Sequence, residues 1–136
     1  MVSYKISDIE GIGPKLSIKL ERVGITNLDS LLQACATKKG REEVSLKTGI
    51  TEEKLHRWVN MADLYRIQGI GIEYTELLEA AGVDALDELK TANPQWLHER
   101  MKKINSSKKF VLQVPSLEEI GKFIEQARSM DPVVMN

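Results

Sequence analysis

The pentapeptide Ile9-Glu10-Gly11-Ile12-Gly13 returns 58 residues later as Ile67-Gln68-Gly69-Ile70-Gly71, and this return constrains the fold more than any other feature. In the same register Leu20 falls on Leu78, Gly24-Ile25 on Gly82-Val83, Leu28 on Leu86 and Leu31 on Leu89. The later parts align at a shift of 65, where Thr51, Leu55, Trp58, Val59 and Ala62 meet Ser116, Ile120, Phe123, Ile124 and Ala127. The step from 58 to 65 implies seven inserted residues in the second copy, placed in the polar stretch Asn105-Ser106-Ser107-Lys108-Lys109. A unit of about sixty residues is thus duplicated, and duplicated units normally bury their apolar faces against each other. The expected division is residues 1–65 and 66–136, packed as one compact helical domain.

Within each copy the apolar spacing is helical, and the fold class is all-α. Pro14, just past Gly13, suits the first position of a helix that carries Leu16, Leu20 and Val23, with Gly24 as its stop. Thr26 is expected to cap a second helix through Leu28, Leu31 and Leu32, with Asp29 in a capping-box-like position. The second copy repeats this with Gly71, Leu77, Leu78, Gly82 and the cap Asp84. Thr51 opens a long helix through Leu55, Trp58, Val59, Ala62 and Leu64 that ends near Gly69. Asn93-Pro94 starts a further helix with Leu97, Met101 and Ile104 on one face, and Ser116 caps the last. Val111-Leu112-Gln113-Val114 is the one strand-like piece, too isolated for a sheet, and the tail Asp131 to Asn136 is expected to fray.

A turn of the form Gly-x-Gly has a definite chemical use. The glycines permit positive φ and close approach to the backbone. The turn then feeds a helix N-terminus, where amides lack intrahelical partners and the dipole is positive. Together these make an anion cradle that needs no particular side chain, while Ile12 can turn inward and pin the turn. Residues Ile9 to about Leu28, and again Ile67 to about Leu86, resemble the helix-hairpin-helix motif of DNA polymerases, ligases, glycosylases and recombination proteins. That resemblance implies phosphate contacts by hairpin amides without sequence preference, with a hairpin carbonyl helping to hold a monovalent cation. Over nearly its whole length the chain is similar to a bacterial helix-hairpin-helix family of unknown function. Asp8-Ile9-Glu10-Gly11-Ile12-Gly13-Pro14 and Ala62-Asp63-Leu64-Tyr65-Arg66-Ile67 carry that likeness, which implies a fold and a link to nucleic acid but no activity.

The two hairpins are not chemically equal. The first, Gly11, Ile12 and Gly13, is followed by Lys15 and Lys19, four apart and able to add charge at a phosphate; Ser17 stands where Ala is usual, and Glu10 opposes an anion. The second, Gly69, Ile70 and Gly71, is followed by Glu73, Glu76 and Glu79, and reads as structural or protein-binding. Residues 1–65 hold 10 Lys/Arg against 9 Asp/Glu and residues 66–136 hold 9 against 11, within a net charge of −1. That balance lacks the basic excess of a strong nucleic-acid binder. Lys38-Lys39 with Arg41, Arg100 with Lys102-Lys103, and Lys108-Lys109 are basic clusters that would extend a footprint or simply form solvated faces.

Nothing in the pattern calls for catalysis. His56 and His98 lack the paired spacing of a metal site, and Cys35, in the apolar run Leu31 to Ala36, reads as a buried structural thiol. A single cysteine excludes an internal disulfide and suits a reducing cytoplasm. No apolar run is long enough to cross a membrane, and the start Met-Val-Ser-Tyr-Lys lacks a secretory pattern. Trp58 and Trp96 are candidates for stacking on bases, although Trp58 shares a face with Leu55 and Ala62 and so reads as core. The sequence therefore points to a non-catalytic module that binds the DNA or RNA backbone weakly, through Gly11, Ile12, Gly13, Lys15 and Lys19, with no cofactor beyond the monovalent cation that the resemblance allows at the first hairpin. The alternative is a protein-interaction or scaffold module whose hairpins are structural, with a partner on the acidic second copy, or a helper domain for a separately encoded nucleic-acid enzyme.

Overall fold

Two turns, 58 residues apart, have the same backbone in the computed structural model, which describes residues 4–131 and 133–135. Gly11 and Gly69 both take φ near +95° (95° and 96°), a region closed to most side chains. Gly13 and Gly71 are extended N-caps (φ −82°, ψ −178° and φ −95°, ψ −179°). The amide of Ile12 donates to Ile9 O at 3.1 Å, and that of Ile70 to Ile67 O at 3.2 Å. Ile12 and Ile70 are each buried to 4% exposure, so the middle residue of each turn is anchored from within.

From these turns run α1 (Pro14–Glu21) and α5 (Ile72–Ala80). Gly24 and Gly82 stop them at positive φ, followed by Ile25 N–H to Leu20 O and Val83 N–H to Leu78 O at 3.0 and 2.8 Å. Next come α2 (Leu28–Cys35) and α6 (Leu86–Lys90), then α3 (Lys38–Thr48) and α7 (Pro94–Ser107), then α4 (Glu52–Leu64) and α8 (Leu117–Arg128). All eight are helices, and the described residues form no strand beyond one bridge, Lys5 to Asn27. The described residues contain no helix long and apolar enough to cross a membrane.

The chain divides into two units, Met1–Asp63 with Val133–Asn136, and Leu64–Pro132. In the first, Ile6, Leu20, Leu31, Leu55 and Trp58 are buried together with the thiol of Cys35. In the second, Leu64, Leu77, Leu89, Leu97 and Ile124 form the centre of one continuous cluster. Here α6 and α7 pack on α8, and α5 packs on α7.

Several sequence expectations move. The cap of α2 is Asn27, not Thr26: its Oδ1 accepts from Ser30 N–H at 2.8 Å, and Ser30 Oγ accepts from Asn27 N–H at 3.0 Å. The N-cap of α6 is Ala85, without a side-chain bond, and Asp84 lies one residue before that cap. α4 ends at Leu64 rather than near Gly69, because residues 65–69 already turn toward the second hairpin. α3 has no counterpart in the expectations, since its buried positions Arg41, Val44 and Thr48 are mostly polar. The extra length of the second copy lies mainly after α7, where 108–116 joins helices that 49–51 join in the first. Asn105 fixes that loop, its Oδ1 accepting from Phe110 and Val111 N–H at 2.8 and 3.1 Å.

The expected fraying of the tail does not hold at Met135, whose N–H donates to Ala36 O at 2.7 Å and whose carbonyl accepts from Arg41 Nη2 at 2.7 Å. Pro132 and Asn136, also in that tail, and Met1–Ser3 of the N-terminal segment lie outside the described residues.

Candidate functional site

The first hairpin lies on the surface, with Gly11, Gly13, Pro14 and Lys15 exposed around the buried Ile12. Glycine at the N-cap brings no side chain to the first-turn amides of α1, and Pro14 has no amide. The amides of Lys15 and Leu16 therefore begin the helix without carbonyl partners inside it. Lys15, Lys19 and Arg22 are exposed and lie at i, i+4 and i+7, which puts three cations in one stripe leading away from the turn. Arg22 belongs to that stripe although the sequence reading did not single it out.

A fourth cation comes from α4. A side-chain carbon placed at Gly11 would lie 3.6 Å from Arg57 Nη1 and 3.5 Å from Trp58 Nε1. Arg57 is exposed, whereas Trp58 is core at 2% exposure. The repeat contained a signal for this: at the shift of 65, Arg57-Trp58 falls on Lys122-Phe123, a cation before an aromatic in both copies.

A glutamine clamps the backbone just before the second hairpin. Gln126 Oε1 accepts from Gln68 N–H at 3.0 Å, and Gln126 Nε2 donates to Gln68 O at 3.2 Å. The matching residue of the first copy is Met61, whose apolar side chain can make neither bond. A side-chain carbon at Gly69 would meet Phe123 Cε1 at 2.9 Å, so the ring closes on this turn more tightly than Trp58 does on Gly11. Glu73 sits in the first turn of α5, where Lys15 stands in α1. Lys122, the counterpart of Arg57, is paired with Glu118 at 3.7 Å.

The remaining candidates scatter. Arg41 is buried to 4% exposure and donates to Cys35 O and Ala36 O at 2.9 and 3.1 Å, so it caps α2 and extends no basic footprint. Burial pushes the Cys35 thiol up to about 11, against the downward pull of the Arg41 guanidinium. His56, half-buried, lines an open hollow of about 300 Å³ with Lys38, Arg41, Glu52 and Glu53, and its Nε2 is buried without a hydrogen-bond partner. Among the described residues no three His, Cys, Asp or Glu side chains group as metal ligands would. Trp96, unlike Trp58, is 54% exposed.

Residues 10–130, which run from the first hairpin to just beyond α8, match the model of a family described as a domain of unknown function, DUF4332. The chain belongs to that family. No curated protein and no solved structure matches this DUF4332 chain. The match takes in both hairpins of the DUF4332 chain and the stripe on α1, together with Arg57 and Gln126.

Proposed function

We propose that the chain is a pair of tandem helix-hairpin-helix units and that its first hairpin grips a nucleic-acid backbone, duplex DNA above all, without sequence preference and without chemistry of its own. One observation carries the reading: four exposed cations, Lys15, Lys19, Arg22 and Arg57, surround or lead from a glycine turn that opens a helix N-terminus. Amides at such a terminus and lysines beside it favour the same ligand, a phosphate, through dipole and charge together. The contrast within the chain supports it, because the second hairpin has the same backbone but a glutamine clamp and a glutamate in place of the lysine. Contact with a few phosphates gives weak affinity, in the non-specific range of roughly 10⁻⁴–10⁻⁶ M at physiological salt.

The test is duplex binding at low and moderate salt by the wild type and by Lys15→Glu/Lys19→Glu. Salt-sensitive binding that the double variant loses is the expected result. Binding absent at low salt, or unchanged in the variant, overturns the proposal. The closed and acidic second hairpin favours a second reading, a scaffold module that holds a protein partner there. Recovery of a stable protein partner through Glu73 and Glu76, with no nucleic acid bound, would put that reading first.

A further inference from the structure

The second unit carries a feature that neither hairpin accounts for. Trp96, in the first turn of α7, is 54% exposed, although an indole of this size ordinarily finds cover. Arg100, one turn on, lies over its ring at 5.6 Å from guanidinium carbon to ring centroid. The guanidinium is held in place, since Arg100 Nε donates to Ala81 O at 3.1 Å, the carbonyl at the C-terminal cap of α5. That bond uses Nε alone and leaves the two terminal amino groups out of it. Lys103 follows at i+7, exposed on the same stripe. Glu99, the nearest acid along the helix, pairs with Lys102 at 3.0 Å.

We infer that Trp96, Arg100 and Lys103 form a stacking site for an unpaired base of single-stranded nucleic acid, with the base on the indole and its flanking phosphates on the two cations. Each part matches a requirement of that ligand. Any base offers a π face to an aromatic ring, and stacking tolerates every sequence. Arg held over the ring adds a planar cation that meets phosphate oxygens in pairs. The net positive charge of the stripe selects an anionic aromatic partner over a neutral apolar peptide. A tryptophan that served only to cover Arg100 would have no need of so open a ring. The inference extends the nucleic-acid reading of the first hairpin, but it uses other residues and another form of the ligand.

The full chain contains its own probe, because Trp58 is buried and Trp96 is not. Titration with an oligothymidylate of about ten nucleotides is expected to quench the Trp96 fluorescence saturably. A duplex of equal length leaves it almost unchanged, since paired bases cannot stack on the ring. Trp96→Phe removes the signal but keeps binding, read by the anisotropy of a labelled oligonucleotide, within about threefold. Trp96→Ala weakens binding by about tenfold or more, the loss of one base stack. Lys15→Glu/Lys19→Glu leaves the quenching in place while it lowers duplex binding. Absence of quenching with duplex binding intact overturns this inference and leaves the hairpin reading standing. Equal quenching by duplex, equal binding by Trp96→Ala, or loss of the quenching in Lys15→Glu/Lys19→Glu also overturns it, since each removes the stacked base from Trp96.

Discussion

Arg41 shows how far a residue's role can lie from its place in a charge run. Three backbone carbonyls, those of Cys35, Ala36 and Met135, accept from its guanidinium, which caps the C-terminal end of α2 and ties the tail to the first unit. Replacing it by alanine takes the donor from the buried Cys35 carbonyl and from that of Met135, while Ala36 O keeps the Met135 N–H, a loss of about 2–3 kcal/mol. Denaturant unfolding of Arg41→Ala should show that loss as a lowered midpoint, and a midpoint within error of the wild type would refute the role. The neighbouring thiol gives a second residue-scale test. With its pKa pushed up to about 11 by burial, Cys35 holds almost no thiolate at neutral pH. A thiol reagent should label it only as fast as the chain unfolds, so labelling faster than global unfolding would contradict the burial. Cysteine in an apolar run was legible as core, because the run itself is the cause of its burial. Arginine in Lys-Lys-Gly-Arg was not, because the carbonyls that bury it belong to a different helix and to the tail.

At the scale of elements, what the sequence discloses depends on whether the cause is local. Gly11 and Gly69 announce their turns because positive φ demands glycine, and Gly24 and Gly82 announce the helix stops for the same reason. The helix α3 stayed hidden although Thr37 caps it and Gly49 ends it, because Arg41 and Thr48 hold positions where periodicity looks for apolar residues. The caps of α2 and α6 shifted by one residue, since Thr26, Asn27 and Asp84 are all good caps on paper and only the chain's path decides among them. The paired hairpins invite a paired substitution. Alanine at Gly11 meets only ordinary contact and suffers the strain of positive φ, about 1–2 kcal/mol. Alanine at Gly69 meets that strain and also the buried Phe123 ring at 2.9 Å, giving roughly 2–4 kcal/mol. Thermal unfolding should rank Gly69→Ala below Gly11→Ala, and the reverse order would show that the ring yields. At the start of α6, Glu88 shares a hydrogen bond with Asp84 that needs a proton, and with burial and the Asp84 charge this pushes its carboxyl up to about 7 from an ordinary 4.5. A raised acid stabilises the fold where it is protonated, so its contribution is complete below about pH 4.5 and disappears as pH rises through about 7. Glu88→Gln should therefore become more stable relative to the wild type across that window. A difference in melting temperature that stays flat from pH 4.5 to 7.5 would remove the shared proton from the account.

For the whole molecule, the duplication makes its halves each other's control. The backbone of the turn was readable twice over in the sequence, but the clamp of Gln126 on Gln68 and the approach of Arg57 to Gly11 were not, because both join segments far apart in the chain. Net charge hides placement in the same way: −1 for the whole chain does not disclose the exposed Lys15, Lys19 and Arg22 along one stripe, or the exposed Arg57 that α4 brings beside Gly11. The number of cations that touch phosphate sets how steeply affinity falls with salt, because each neutralised phosphate releases condensed counterions. With Lys15, Lys19, Arg22 and Arg57 engaged, log K against log salt should fall with a slope of about −3 to −4 on duplex DNA. Each single replacement of these four by alanine should flatten that slope by about 1 and weaken binding similarly for unrelated sequences. Arg57→Ala is the most informative of the four, since α4 rather than the hairpin's own helix supplies it. If its slope equals that of the wild type, phosphates stay on the α1 stripe and Arg57 only packs beside Gly11. A wild-type slope of about −6 or steeper would instead mean that Arg100, Lys103 or the lysines of the 108–116 loop also reach the duplex, and the first hairpin would then be one grip among several.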